Sequence, residues 1–308
     1  MSAAPLLAAL LRAALPGLRA LDLGLPAPLL LPWLPGTLCG AEDAEALPPA
    51  EAALLRRFRH GDGRPLAGFD RAADAALLAG APAAWGDAPE RLIRFATAPA
   101  PSRLPEDALL LAPPGAPRPA GRAEGRILLL LGAGETVERH DLLVPTGRLD
   151  ALHAALSRAA EDLASEAGGR WLARGLAVAE NMASVALLPK DGQTHRPPLS
   201  IPATALVHDL PTRAAPDGLD LSGTRQVRLL LGRAPPGRLC VRLRGEAAPR
   251  AALFGDGHRL PAVQVDAPPG ETGLEVEAWP AATGAAAVLG VAVPPPGRLA
   301  LTRLELVP

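Results

Sequence analysis

The chain has 308 residues, a formal net charge of −1, 49% hydrophobic and 20% charged residues, and only two cysteines. That length and balance suit two cored domains and exclude a disordered, collagen-like or disulfide-framed protein. The near-neutral charge lacks the positive surplus by which nucleic-acid binders neutralise phosphates, so no nucleic-acid partner is expected.

Within those bounds the composition is skewed. Of 31 basic residues only Lys190 is a lysine, Asn181 is the single asparagine, tyrosine is absent, and proline reaches 36. Residues with AT-rich codons are the scarce ones, the mark of a bacterial gene of very high GC content. The arginine surplus therefore carries no phosphate-recognition signal of its own.

In chain order, Leu6–Leu15 reads as a helix, without the preceding basic residues of a secretory signal. Leu23–Ala41 is uncharged, but Pro26, Pro28, Pro32 and Pro35 oppose a membrane helix and favour buried, proline-bent structure. A soluble, cytoplasmic protein with no membrane span is expected. Pro49–His60 and Asp70–Ala79 read as helices, and Arg91–Ala96 and Ala108–Ala112 as buried strands. Trp33, Trp85 and Trp171 are expected to pack the first domain.

Arg126–Leu131 and Leu142–Val144 flank Gly132-Ala133-Gly134-Glu135 and predict two strands around a turn. The turn lacks the third glycine of a dinucleotide fingerprint, because Val137 stands there. Glu135, Glu138, His140 and Asp141 form the densest polar cluster of the chain. A carboxylate beside an imidazole can move protons or bind metal, and Glu138 and His140 share a face if this is a strand. They are the candidate catalytic residues. No metal spacing and no cofactor motif accompany them; the lone Lys190 lies in a Pro-Lys-Asp-Gly turn, outside any phosphate-binding loop.

Thr146 is read as a helix N-cap. Leu149, Leu152, Leu156 and Leu163 form one stripe of the following helix. Leu172, Leu176, Ala179, Met182 and Ala186 also fit helical spacing, so Trp171–Leu187 is predicted to be a second helix completing a hairpin. Self-association through helices spanning 148–187 is expected.

A proline-rich linker over 189–204 then separates a domain at 1–188 from one at 205–308. After the linker, Val227–Leu231, Leu239–Leu243, Ala262–Val265, Leu274–Ala278, Val288–Val293 and Leu299–Val307 recur about every dozen residues, with period-2 alternation. That pattern predicts an antiparallel β-sandwich. Its ligand candidates are Trp279, the one stacking aromatic at a loop end, and Asp256 and His258 in a glycine-rich turn.

Leu219-Asp220-Leu221-Ser222, Cys240-Val241-Arg242-Leu243-Arg244 and the closing strand Leu299–Val307 carry a resemblance. The stretch from Leu219 to Pro308 resembles the galactose-binding-like jelly-roll modules appended to bacterial carbohydrate-active and cell-surface proteins. The resemblance implies an accessory domain that binds a glycan or another ligand.

The fold expected is thus α+β: a mixed α/β N-terminal domain ending in a helical hairpin, then the sandwich. The function expected is a non-enzymatic binding or assembly protein engaging a glycan or protein partner. The alternatives are an enzyme with its site near Glu135, Glu138 and His140, or a structural subunit of a larger assembly.

Overall fold

The computed structural model describes residues 3–25, 28–40, 48–66, 87–95, 104–116, 124–133, 136–168, 170–179, 181–190, 199–232, 238–276, 287–293 and 297–307. The first half contributes α1 (Ala4–Ala14), β1 (Leu18–Asp22), β2 (Leu38–Cys39), α2 (Pro49–Leu55), β3 (Arg59–His60), β4 (Glu90–Arg94), β5 (Leu109–Ala112), β6 (Glu124–Ala133), β7 (Thr136–Pro145), α3 (Leu149–Glu166), β8 (Trp171–Ala179) and β9 (Met182–Pro189). The second contributes β10 (Leu199–Pro202), β11 (Val207–His208), β12 (Leu219–Asp220), β13 (Gln226–Gly232), β14 (Arg238–Arg244), β15 (Ala252–Gly255), β16 (His258–Arg259), β17 (Ala262–Val265), β18 (Glu271–Val276), β19 (Ala287–Ala292) and β20 (Ala300–Val307). The predicted helix at Asp70–Ala79, and Trp85, lie outside the described residues.

Strand makes up 47% and helix 20% of the structure, in three sheets. This overturns the expected α+β fold with a helical hairpin. Only α3 of the supposed hairpin is a helix; the stretch assigned to the second helix forms β8 and β9, an antiparallel pair. Asn181, at φ 61°, precedes β9 in the left-handed conformation that Asn tolerates in tight turns. Ala183, Val185 and Leu187 are buried while Ser184, Ala186 and Leu188 are half-buried, which is the period of a strand. The helical reading matched only because Leu172, Leu176 and Ala179 also satisfy i, i+4, i+7.

Two compact units divide the chain. The first comprises Met1–Leu25, Thr37–Ala44 and Ala67–Pro197. Its eight-stranded sheet runs β2-β1-β4-β5-β7-β6-β9-β8. β2, β1, β4 and β5 are parallel, β5–β7, β7–β6 and β9–β8 are antiparallel, and β6–β9 is parallel. α3 packs on β8 and β9, and α1 packs on α3. Leu149, Leu152 and Leu156 form the buried stripe of α3. The helix has Arg148 at its N-cap, after a 3-10 turn over Thr146–Arg148. Arg148 reaches both carboxylate oxygens of Glu90 on β4, which ties the start of the helix to the sheet.

α3 sits over the face of the sheet carrying Ile127, Leu129 and Leu131 of β6 and Ala183, Val185 and Leu187 of β9, all buried. The helix approaches closely at Gly175 of β8: a Cβ there would lie 2.1 Å from Ser157 Oγ. The opposite face has its own core around Leu21, Ile93, Phe95, Leu110 and Leu143.

The second unit comprises Pro26–Gly36, Glu45–Leu66 and Pro198–Pro308. Its strands form two sheets, β10-β20-β14-β18-β17 with β12 also on β20, and β16-β15-β19-β13-β11-β3. The strand runs expected after the linker are present as far as they fall on described residues. Two edge strands, however, come from before Ala205: β3 pairs with β11, and β10 pairs with β20. Trp33, expected in the first domain, is buried within this second unit, where Leu30, Leu31 and Leu34 are buried as well. Gly232, at φ 70°, lies against this segment, where a Cβ would come within 2.2 Å of the Pro28 carbonyl.

Candidate functional site

In the first unit, the strand registers align Cys39, Asp22 and Arg94 across β2, β1 and β4, at the C-terminal ends of parallel strands. Open α/β sheets place ligands at that end. Here Asp22 Oδ1 accepts from Arg94 Nη1 at 2.8 Å and from the Gly24 amide at 2.9 Å. Both charged side chains are buried, at 0% and 8% exposure. Gly24 leaves room for the guanidinium, since a Cβ there would lie 1.6 Å from Nη1. The buried Cys39 thiol is pushed well up, first by desolvation and then by the Asp22 carboxylate. A thiol held protonated is a poor nucleophile, so this row braces the sheet.

The cluster singled out on β7 separates by face. Glu138 and His140 lie on one side, as alternation requires, with Nε2 3.4 Å from Oε2 but without hydrogen-bonding alignment. Their cross-strand partners on β6 are Leu131 and Leu129, on the helix-covered face. Asp141 points the other way and is fully buried. It faces Arg126 at 3.1 Å and Arg139 at 3.5 Å, and its Oδ2 accepts the Gly115 amide. Arg126 in turn donates to the Ala116 carbonyl. Asp141 thus pins the turn after β5 to the strand beside it. Glu135 lies outside the described residues. The structure brings Glu138 to His140 and does not bring Asp141 to either.

Of the ligand candidates of the second unit, Asp256 has a structural role. Asp256 and Gly257, at φ 49° and 86°, make the two-residue turn between β15 and β16, a sequence such hairpins favour. Asp256 Oδ1 accepts the Val288 amide at 2.8 Å, fastening the turn to β19. His258, next to it, is exposed on a two-residue edge strand. Trp279 lies outside the described residues. The three segments that carry the jelly-roll resemblance meet in one sheet, where β20 pairs with both β12 and β14. Arg242, Arg303, Glu271 and Glu305 form a ladder of ion pairs across that sheet.

Two other features emerge only in the structure. His60 and His208 are both buried on the paired strands β3 and β11. Desolvation lowers the His60 pKa to about 4, with Arg64 and His208 adding to the effect and Asp62 opposing it. Desolvation lowers His208 as well, against the pull of Asp209 and of the Leu210 backbone.

The second feature is a sheet face. On β6, β9 and β8, opposite α3, stand Leu128, Leu130, Leu172, Leu176, Met182 and Leu188, none of them buried. Leu176 is 58% and Met182 38% exposed. The signal was present in the sequence as a second apolar set alternating with the buried one, but the helical reading absorbed it. β8 ends the sheet, and among the described residues it pairs with β9 alone. Among the described residues no three His, Cys, Asp or Glu side chains gather in a way that could hold a metal ion, and no helix is long and apolar enough to cross a membrane.

No protein-family model matches the chain, and no curated protein matches it significantly.

Proposed function

We propose that this is a non-enzymatic binding or assembly protein whose contact surface is the sheet face opposite α3 and the edge of β8, which among the described residues pairs with β9 alone. One observation carries the reading. β6, β9 and β8 hold a buried apolar face under α3, and their other face, which also carries Arg126, Arg174 and Ser184, leaves Leu172 and Leu188 half-buried and Leu176 and Met182 exposed. Exposed apolar surface of this kind marks contacts with other macromolecules. Other buried charged groups are engaged in bracing: Asp22 with Arg94, and Asp141 with Arg126 and Gly115. The occupant proposed is a protein, since β8 offers an edge that another strand can extend.

The test is a photo-crosslinking residue placed at Leu176 in the full chain and activated in the producing cell. A discrete protein adduct is expected at Leu176 and none at Glu246, an exposed turn residue of the second unit. Equal labelling at both positions, or none at either, would overturn the reading.

A second reading, an enzyme site on β7, has the proximity of Glu138 and His140 in its favour. It requires that His140→Ala abolish turnover of a substrate while leaving the melting temperature in place.

A further inference from the structure

Resting on that reading, we infer that the partner at β8 is a second copy of this chain. β8 of one copy pairs antiparallel with β8 of the other around Gly175, and the two α3 helices pack side by side across the junction.

The edge itself sets the register. β8 is nine residues long, and Arg174 to Leu176 are exposed. A two-fold axis through Arg174 would set Arg174 directly opposite its own copy, which like-charge repulsion disfavours. Centring the axis on Gly175 sets each Arg174 opposite Leu176 of the second copy. An interface of this kind is isologous and closes on itself, which gives a dimer and not a filament.

The helix layer fits the same axis. α3 lies over β8 and β9. Strands are spaced about 4.8 Å apart, so two helices each centred over a β8–β9 pair would stand roughly 10 Å apart. Helix axes in contact are separated by about 8–10 Å. Ser157 and His153 of α3 sit above Gly175. An axis through Gly175 therefore crosses α3 near residues 154 and 155. On the flank of α3 beyond His153 and Ser157, spaced for one helical face, are Asp150, Ala154 and Arg158, all exposed. Two antiparallel helices crossing at Ala154 bring Arg158 of each against Asp150 of the other, with the small alanine at the point of closest approach. Neither Asp150 nor Arg158 has an ion-pair partner among the described residues; Arg158 only folds back to the Ala154 carbonyl at 3.4 Å. The charges are thus complementary under the one symmetry that the strand edge favours.

The experiment uses the full chain in sedimentation equilibrium. A dimer is expected. Asp150→Arg and Arg158→Asp each place like charges together twice per dimer, and each should raise the dissociation constant by about tenfold or more, about 1.4 kcal/mol. The double variant Asp150→Arg/Arg158→Asp should recover the wild-type value. Because Cys39 and Cys240 are buried, Ala154→Cys adds the one exposed thiol among the described residues. Mild oxidation should convert that variant to a disulfide-linked dimer, whereas Glu246→Cys should stay monomeric on a non-reducing gel. All of these positions are exposed, and circular dichroism of each variant checks that the fold persists. A monomeric wild type, a double variant that does not recover, or Ala154→Cys failing to crosslink would each overturn the inference. A monomer whose Leu176 still crosslinks to a different protein overturns self-association alone and leaves the binding surface standing.

Discussion

At the scale of single residues, the chain spends its charges on structure. Asp22 and Arg94 are both buried, and a buried pair stripped of one member leaves the other charge uncompensated. Asp22→Asn should therefore cost about 3–5 kcal/mol in a urea titration. Replacing both residues with leucine should recover most of that loss, since an apolar pair of similar bulk removes the stranded charge. His60 makes stability depend on pH. Its pKa is about 4 when folded against an ordinary 6.5, so the unfolded chain binds a proton first as pH falls. Stability is insensitive to His60 above pH 6.5, declines between 6.5 and about 4, and levels off below that. At 1.36 kcal/mol per pKa unit, the loss across that window is roughly 3 kcal/mol, and it should vanish in His60→Gln. Denaturant midpoints at a series of pH values read it directly; a flat profile in the wild type would contradict the burial of His60. The sequence pointed to Glu138 and His140 through their crowding, but to none of these three. Asp22 and Arg94 are 72 positions apart, and no local pattern joins them.

At the scale of elements, close approach decides more than propensity. Gly175 lets α3 settle on β8, and a methyl group there would lie 2.1 Å from Ser157 Oγ. Gly175→Ala should destabilise the protein by about 1–3 kcal/mol through overpacking, and Ser157→Gly in the same chain should restore much of it. Thermal melts of the single and double variants separate this local clash from a general loss of strand. The same region shows where reading a sequence for periodicity fails. From Trp171 to Leu187 the apolar residues satisfy both a 3.6 and a 2.0 period, because apolar residues stand on both faces of β8 and β9 and only Arg174 and Ser184 interrupt them there. A strand buried on one face and apolar on the other lacks the polar alternation that would identify it. By contrast, β14 and β20 carry arginine and glutamate on alternate positions against buried leucine and valine, and their strand character was plain.

At the scale of the whole molecule, chain order and spatial order part company. The second unit takes Pro26–Gly36 and Glu45–Leu66 from the N-terminal region, and its sheets take β3 and β10 as edges. A fragment of residues 205–308 lacks both strands. It should unfold without a cooperative transition, whereas the full chain should melt cooperatively; calorimetry of the two preparations checks this. Local chemistry was sufficient for α1, for the α3 stripe, and for the strands that alternate apolar with charged residues, because those patterns are written within a few consecutive positions. Strand pairing is long-range. Which strands became neighbours, which of two apolar faces received a helix, and how an N-terminal segment came to complete a C-terminal sheet depend on packing among residues far apart in the chain. The open face of β8 and β9 belongs to that second class: its leucines are visible in the sequence, and their exposure follows from where α3 lies.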